Sequence, residues 1–324
     1  MSRSFCLFKN FSAFVLTTGL VFTVGCAVTP QGPADKSPRR SSGRDDFGGS
    51  DTGNKSTEAG DASAAPAVPA EEKRVAVILG PGGYKTFAHT GVLKEMHKAN
   101  IPVHKVVGIE WGAVIGGLYA QRGQINEAEW KLYKLERLDL DNRAFFASRK
   151  EAKSTKILQE YLRTNLEKKD ITQLTVSFTC PSLALNQGVI AWLERGSLAQ
   201  GVEGCLASPP LFKPEKDAVA GLFSYSEAIS RLRREGYNVI ILVNVLGGGN
   251  LFDKSAIQDD YANTVLWNEA RRALWQAKGL VTDVVDVNTR GIAMGDFESR
   301  KLLVTAGEAA GERLAKQLAA KYNF

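Results

Sequence analysis

From residue 73 onward, apolar positions follow two rhythms that alternate along the chain. "RVAVIL" (74–79) is an unbroken β-branched apolar run, which predicts a strand buried on both faces. "KTFAHTGVLKEMHKANI" (85–101) changes to helical spacing, with Phe87, Val92 and Met96 on related faces and Gly91 marking a close approach. "HKVVGI" (104–109) then reads as a second strand and "AVIGGLYAQ" (113–121) as a second helix. Residues 125–170 read as a helical insertion with Trp130, Tyr133, Leu138, Ile157, Leu158 and Leu162 as its core. "LTVSFTCP" (174–181), "NVIILVNVLGGG" (238–249) and "VTDVVDV" (281–287) are the third to fifth strands. The helix "YANTVLWNEARRALWQA" (261–277) separates the last two, and the amphipathic helix 298–322 closes the chain. Strands alternating with helices predict an α/β fold, a three-layer α/β/α sandwich on a mostly parallel central sheet.

The N-terminal part does not share these rhythms. Arg3 and Lys9 precede an almost wholly apolar stretch from Phe11 to Val24, and Gly25-Cys26 follow. That is the plan of a secretory signal over 1–25, too short to span a bilayer comfortably. "TVGC" (23–26) resembles a bacterial lipoprotein box, with Thr23 in place of the usual Leu. The resemblance implies lipidation at Cys26, and Ala27 after the cysteine points to the outer membrane, facing the periplasm. Residues 26–72 are rich in Ser, Gly, Asp, Ala and Pro and bury too little apolar surface to order themselves, so they read as a tether. The domain proper is 73–324, and its 324-residue parent chain, 44% hydrophobic, supplies enough apolar material for one sizeable core.

Charge and cysteine usage narrow the classes further. The net charge of +6 is mild for this length, and no Lys/Arg run interleaves with aromatics, so nucleic acid is not an expected partner. Cys180 and Cys205 are the two cysteines in the folded part. In an oxidising compartment they either pair or stay as two separate buried thiols. No CxxC and no His/Cys cluster has zinc spacing, so neither a metal nor a cofactor is implied.

The chemistry centres on "GIEWG" (108–112), a strand-to-helix turn bracketed by two glycines, the layout of a nucleophile elbow. Five stretches in order carry a wider resemblance: "LGPGGYKTFAHTGVLKEM", "VVGIEWGAVIGGLYA", "GVEGCLASPPLFKP", "GYNVIILVNV" and "GDFESRKLLVTAG". Together, over about residues 73–320, the chain resembles the patatin-like lipid acyl hydrolases. The resemblance implies a Ser–Asp dyad, with the oxyanion held by amides of the glycine-rich loop. Gly80, Gly82, Gly83 and Lys85 match that loop, with Pro81 and Thr86 in place of glycines; Pro81 brings no N–H. Gly108 and Gly112 match the elbow. Glu110 stands at the nucleophile position, and Ala220, before Gly221, at the aspartate position; Asp217 and Glu227 flank it without preceding a glycine.

A nucleophilic hydroxyl needs an adjacent base, and neither partner is present at its expected place. The chain therefore reads as a lipid-anchored pseudo-hydrolase of the bacterial envelope. It would bind lipid or acyl groups in the inherited cleft or scaffold an envelope protein. The alternative is an active lipid acyl hydrolase with a different nucleophile, for which Ser208, Ser224 and Ser226 are the nearby hydroxyls. Glu110 sits at a helix N-terminus, where unpaired amides favour negative charge. Its carboxylate either folds back onto Gly82 and Gly83 or points to solvent. His89 reads as a buried structural histidine, His97 and His104 as surface residues, "GGG" (247–249) as a plain loop, and Arg231, Arg233 and Arg234 as a solvated helix face.

Overall fold

The computed structural model describes residues 72–135, 152–166, 169–214, 216–247, 251 and 261–324. The segments expected as signal (1–25) and tether (26–72, apart from Glu72), with Cys26, Leu138 and Gly248-Gly249, lie outside the described residues. In chain order the strands are β1 Val75–Leu79, β2 Lys105–Gly108, β3 Lys153–Ser154, β4 Ser177–Thr179, β5 Pro181–Ala184, β6 Val189–Trp192, β7 Phe212–Lys213, β8 Ala218–Ala220, β9 Val239–Asn244 and β10 Asp283–Asp286. The helices are α1 Phe87–Lys98, α2 Trp111–Ala120, α3 Ile125–Tyr133, α4 Lys156–Asn165, α5 Leu198–Leu206, α6 Tyr225–Arg234, α7 Tyr261–Ala277 and α8 Arg300–Tyr322.

The central sheet has five strands in the order β10-β9-β1-β2-β4, all parallel. Strand alternation divides its two faces between two cores. Val75, Val77 and Leu79 of β1 and Val239, Ile241 and Val243 of β9 face a core shared with α1, α2, α3 and α8. Ala76, Ile78, Ile240 and Leu242 face a second core built from α6 and α7. This is the three-layer sandwich that continuous apolar strands demand, because a strand covered on both faces has no polar side. The chain runs from β1 to β2 on one side and reaches β9 on the other. The crevice beyond the carboxyl ends of β1 and β9 is thus a topological switch point, where open α/β sheets place their sites.

Two features were not predicted. A small antiparallel sheet, β6-β5-β8, and a two-stranded parallel pair, β3-β7, extend the domain beside the central sheet. Trp130, expected in the core of the 125–170 segment, is 59% exposed, with the Lys134 ammonium over its ring. That core is formed instead by Ile125, Ala128, Leu132, Leu158, Tyr161 and Leu162, an i, i+3, i+7 stripe on α3 that excludes position 130.

The first and last helices meet backbone to backbone. A Cβ on Gly307 of α8 would lie 1.9 Å from Ala88 O of α1, and one on Gly91 would lie 2.2 Å from Val304 O. These contacts press α1, and the loop that precedes it, against the body of the domain.

Candidate functional site

β2 ends at Gly108, and Ile109 N–H donates to Leu79 O at 3.0 Å, prolonging the ladder by one rung. The chain then reverses through Glu110 at φ 57°, ψ −127° into α2. A glutamate at positive φ is uncommon and costs of order 1–3 kcal/mol, which the surroundings must offset. The flanking glycines are required by contact. A Cβ on Gly108 would lie 2.4 Å from Ala113 Cα, and one on Gly112 would lie 2.4 Å from Leu79 O.

The Glu110 side chain is wholly buried. Its Oε2 accepts from Gly82 N–H at 3.1 Å and Gly83 N–H at 2.9 Å, and its Oε1 accepts from Ser208 Oγ at 2.9 Å. The Trp111 backbone N–H is a further donor. Of the two orientations open to the sequence, the carboxylate takes the one folded onto the loop. Burial raises its pKa above the ordinary 4.5, and the donors of Trp111, Gly82, Gly83 and Ser208 oppose that rise.

The loop's amides are fully accounted for. Gly80 N–H is used by the sheet, donating to Val243 O at 3.1 Å, and Pro81 has none to give. Gly82 and Gly83 give theirs to Glu110, so both are engaged within the chain. Gly83 needs its glycine, with φ 56° and Met294 O 2.8 Å from where a Cβ would stand.

The other residues singled out in the sequence take structural places. His89 Nε2 lies 2.7 Å from Gly80 O and must donate to it, since a carbonyl only accepts. Complete burial lowers its pKa to about 4, so the ring is neutral and ties α1 to the loop. The buried Lys85 ammonium donates to Thr289 O at 3.4 Å rather than to Glu110; burial and the charge of Arg271 lower its pKa to about 8. His104 is half-buried, and its Nδ1 accepts from Val75 N–H at 3.0 Å. Ala220 ends β8 in the second core, its N–H donating to Ala207 O at 2.8 Å. Asp217, Glu227 and Ser226 are exposed.

Two residues of the site were not assigned this role from sequence. Ser208 begins a segment, Ser208–Phe212, that closes the elbow from above. Trp267 Nε1 donates to Pro209 O at 2.6 Å, Leu211 Cδ1 reaches 2.7 Å from the Cβ position of Gly83, and the Phe212 ring lies tilted against Trp111 with centroids 6.0 Å apart. The Cys180–Cys205 disulfide, with Cα atoms 6.1 Å apart, fastens the end of β4 to α5 three residues before Ser208. Tyr225 is the second. Its buried hydroxyl has no hydrogen-bond partner, and burial, then the Glu110 charge, raise its pKa well above the ordinary range. A groove of about 640 Å³ runs past Lys156, Gln159, Arg163, Glu203 and Lys216 and touches neither Glu110 nor Gly82. Among the described residues no group of three or more His, Cys, Asp or Glu could hold a metal, and no helix is long and apolar enough to cross a membrane.

Residues 77–220 match the family model described as patatin-like phospholipase. An uncharacterized NTE family protein of Mycobacterium bovis is 30% identical over 147 residues, 44% of this chain and 40% of that protein. A Mycobacterium tuberculosis protein of the same description has the same figures. The chain thus spans about two fifths of the length of these relatives. The lysophospholipase nte1 of Neurospora crassa is 43% identical over 53 residues, 16% of this chain and 4% of that one. Among solved structures, VipD from Legionella pneumophila superposes with a TM-score of 0.46 at 12% identity, over 76% of this chain and 67% of that one. The type III effector ExoU superposes with a TM-score of 0.38 at 10% identity, over 75% and 53%. The matched segment contains the loop, the elbow and Ser208, and ends on Ala220.

Proposed function

We propose that this chain is a patatin-like pseudo-hydrolase, held at a bacterial envelope through a lipid on Cys26, that works by binding and not by turnover. The observation that carries the reading is Glu110: a carboxylate replaces the nucleophilic hydroxyl and occupies the two loop amides that hydrolysis would need. The aspartate position, Ala220, carries no base. Leu211, Phe212 and Met294 crowd the elbow, which supports an interaction module for an envelope protein over a lipid-binding cleft at this point. The disulfide supports an oxidising compartment and therefore export.

A second reading has one observation in its favour. The 2.9 Å contact between Ser208 Oγ and Glu110 Oε1 is the geometry of a hydroxyl and its base. In that reading Ser208 attacks and Glu110 takes the proton. It leaves no free loop amide for the oxyanion, which is why the first reading is preferred.

Turnover of short-chain esters and phospholipid by the full chain separates the two. The first reading expects no turnover by wild type and a gain by Glu110→Ser/Ala220→Asp. Wild-type turnover abolished by Ser208→Ala would overturn it in favour of the second.

A further inference from the structure

We infer that the elbow is a receptor for a single carboxylate, filled in cis by Glu110 and open to an external small carboxylate once that side chain is shortened. The inference deepens the reading of Glu110 as an occupant and rests on it. One oxygen of the group is held by two backbone N–H donors on the loop, the other by a side-chain hydroxyl from a segment 98 residues away. The donors therefore come from two independent parts of the fold and converge on both ends of one carboxylate. The buried Tyr225 hydroxyl, which lacks a partner, comes within 3.7 Å of the Cβ position of Gly80 beside them. Neither end of the carboxylate faces a Lys or Arg hydrogen bond; charge is met by N–H and O–H dipoles alone. Such a cradle selects by shape and donor geometry and not by net charge, so it discriminates carboxylate from halide.

The shape follows from covalent structure. Glu110→Ala keeps Cβ and deletes the Cγ methylene with its carboxylate, a fragment with the skeleton of acetate. Acetate thus fits the vacated space, formate leaves part of it empty, and butyrate is too long for a pocket closed by Leu211 and Phe212.

The test is thermal melting of the full-length Glu110→Ala chain in acetate, formate, butyrate and chloride at equal pH and ionic strength. Acetate is expected to raise Tm saturably, by about 3–6 °C once it exceeds its Kd tenfold. The gain should be larger than with formate or butyrate, absent in wild type and diminished in Glu110→Ala/Ser208→Ala. Equal melting in acetate and chloride, or an equal acetate shift in wild type, would overturn the inference. Should Glu110→Ala fold only when acetate is present, that too supports it. Glu110→Ser, which leaves room for formate, is the second variant; failure of both to fold with either carboxylate overturns the inference. Melting is read without substrate, so this result stands apart from the turnover assay on which the proposed function depends.

Discussion

Glu110→Gln isolates the charge of the buried carboxyl while keeping its shape. The amide oxygen can accept from both Gly82 and Gly83, and the NH₂ then faces Ser208 Oγ, whose hydroxyl can turn to accept. The contacts to Gly82, Gly83 and Ser208 are kept and the buried charge is removed. Burial raises the Glu110 pKa above 4.5, so the folded state holds a proton more tightly than the unfolded chain does. A group of that kind contributes its full stability below the unfolded pKa and loses it as pH rises through the folded pKa. Wild type should therefore lose stability relative to Glu110→Gln from pH 4.5 upward, by at most about 1.4 kcal/mol per pH unit. For a domain of this size that is about 3–6 °C of Tm per unit, levelling once the folded carboxyl is ionised. Paired melts of the two proteins from pH 4.5 to 8.5 at constant ionic strength measure the difference, from which every titration common to both cancels. A difference that is flat or shrinks with rising pH would mean that the four donors outweigh burial, and would refute the reasoning.

His89 titrates in the opposite sense. Its folded pKa of about 4 lies below the ordinary 6.5, so its contribution is whole above pH 6.5 and is lost as pH falls through 4. The loss amounts to roughly 3 kcal/mol, and His89→Gln should flatten that limb of a stability–pH curve. Replacing both Cys180 and Cys205 by Ala should cost about 3.5 kcal/mol, the loop-closure value for a separation of 25 residues, read as a Tm fall of about 7–14 °C. A fall under 2 °C would show that the bridge does not constrain the unfolded chain. Gly307→Ala forces a methyl against Ala88 O and should destabilise by about 1–3 kcal/mol or more. Hydrogen exchange should quicken first in α1 and α8, and exchange that speeds uniformly across the domain would contradict a local clash.

The central sheet was legible because each of its strands is a short apolar run between loop signals. "RVAVIL" and "NVIILVNV" hold the fully buried β1 and β9, and "HKVVGI" and "VTDVVDV" hold β2 and β10. The loop and elbow were legible for a different reason: Gly82, Gly83, Gly108 and Gly112 stand where a Cβ would strike neighbouring atoms, so their spacing is dictated by contact. The small sheet was not legible. β6, "VIAW", alternates exposed and half-buried positions over four residues, too few to establish a period. Trp130 misled because an aromatic among apolar residues reads as core, whereas its place on α3 turns it outward to a cation. Ser208 could be named as a nearby hydroxyl, but its role needs the 98-residue return of the chain, which no local pattern encodes.

The closed elbow also orders events in time. Glu110 meets Ser208 across 98 residues, and Lys85 meets Thr289 across 204. Gly80 docks on Val243 only when β9 is in place beside β1. Until those long-range contacts form, the Glu110 carboxylate lacks its Ser208 partner and the loop lacks its anchor on β9. Desolvation of that charge therefore belongs to the late stages of folding, after contacts of long sequence separation have closed, and such topologies fold slowly. A chain with Gln at 110 has no charge to desolvate at that stage and would complete the last stage sooner.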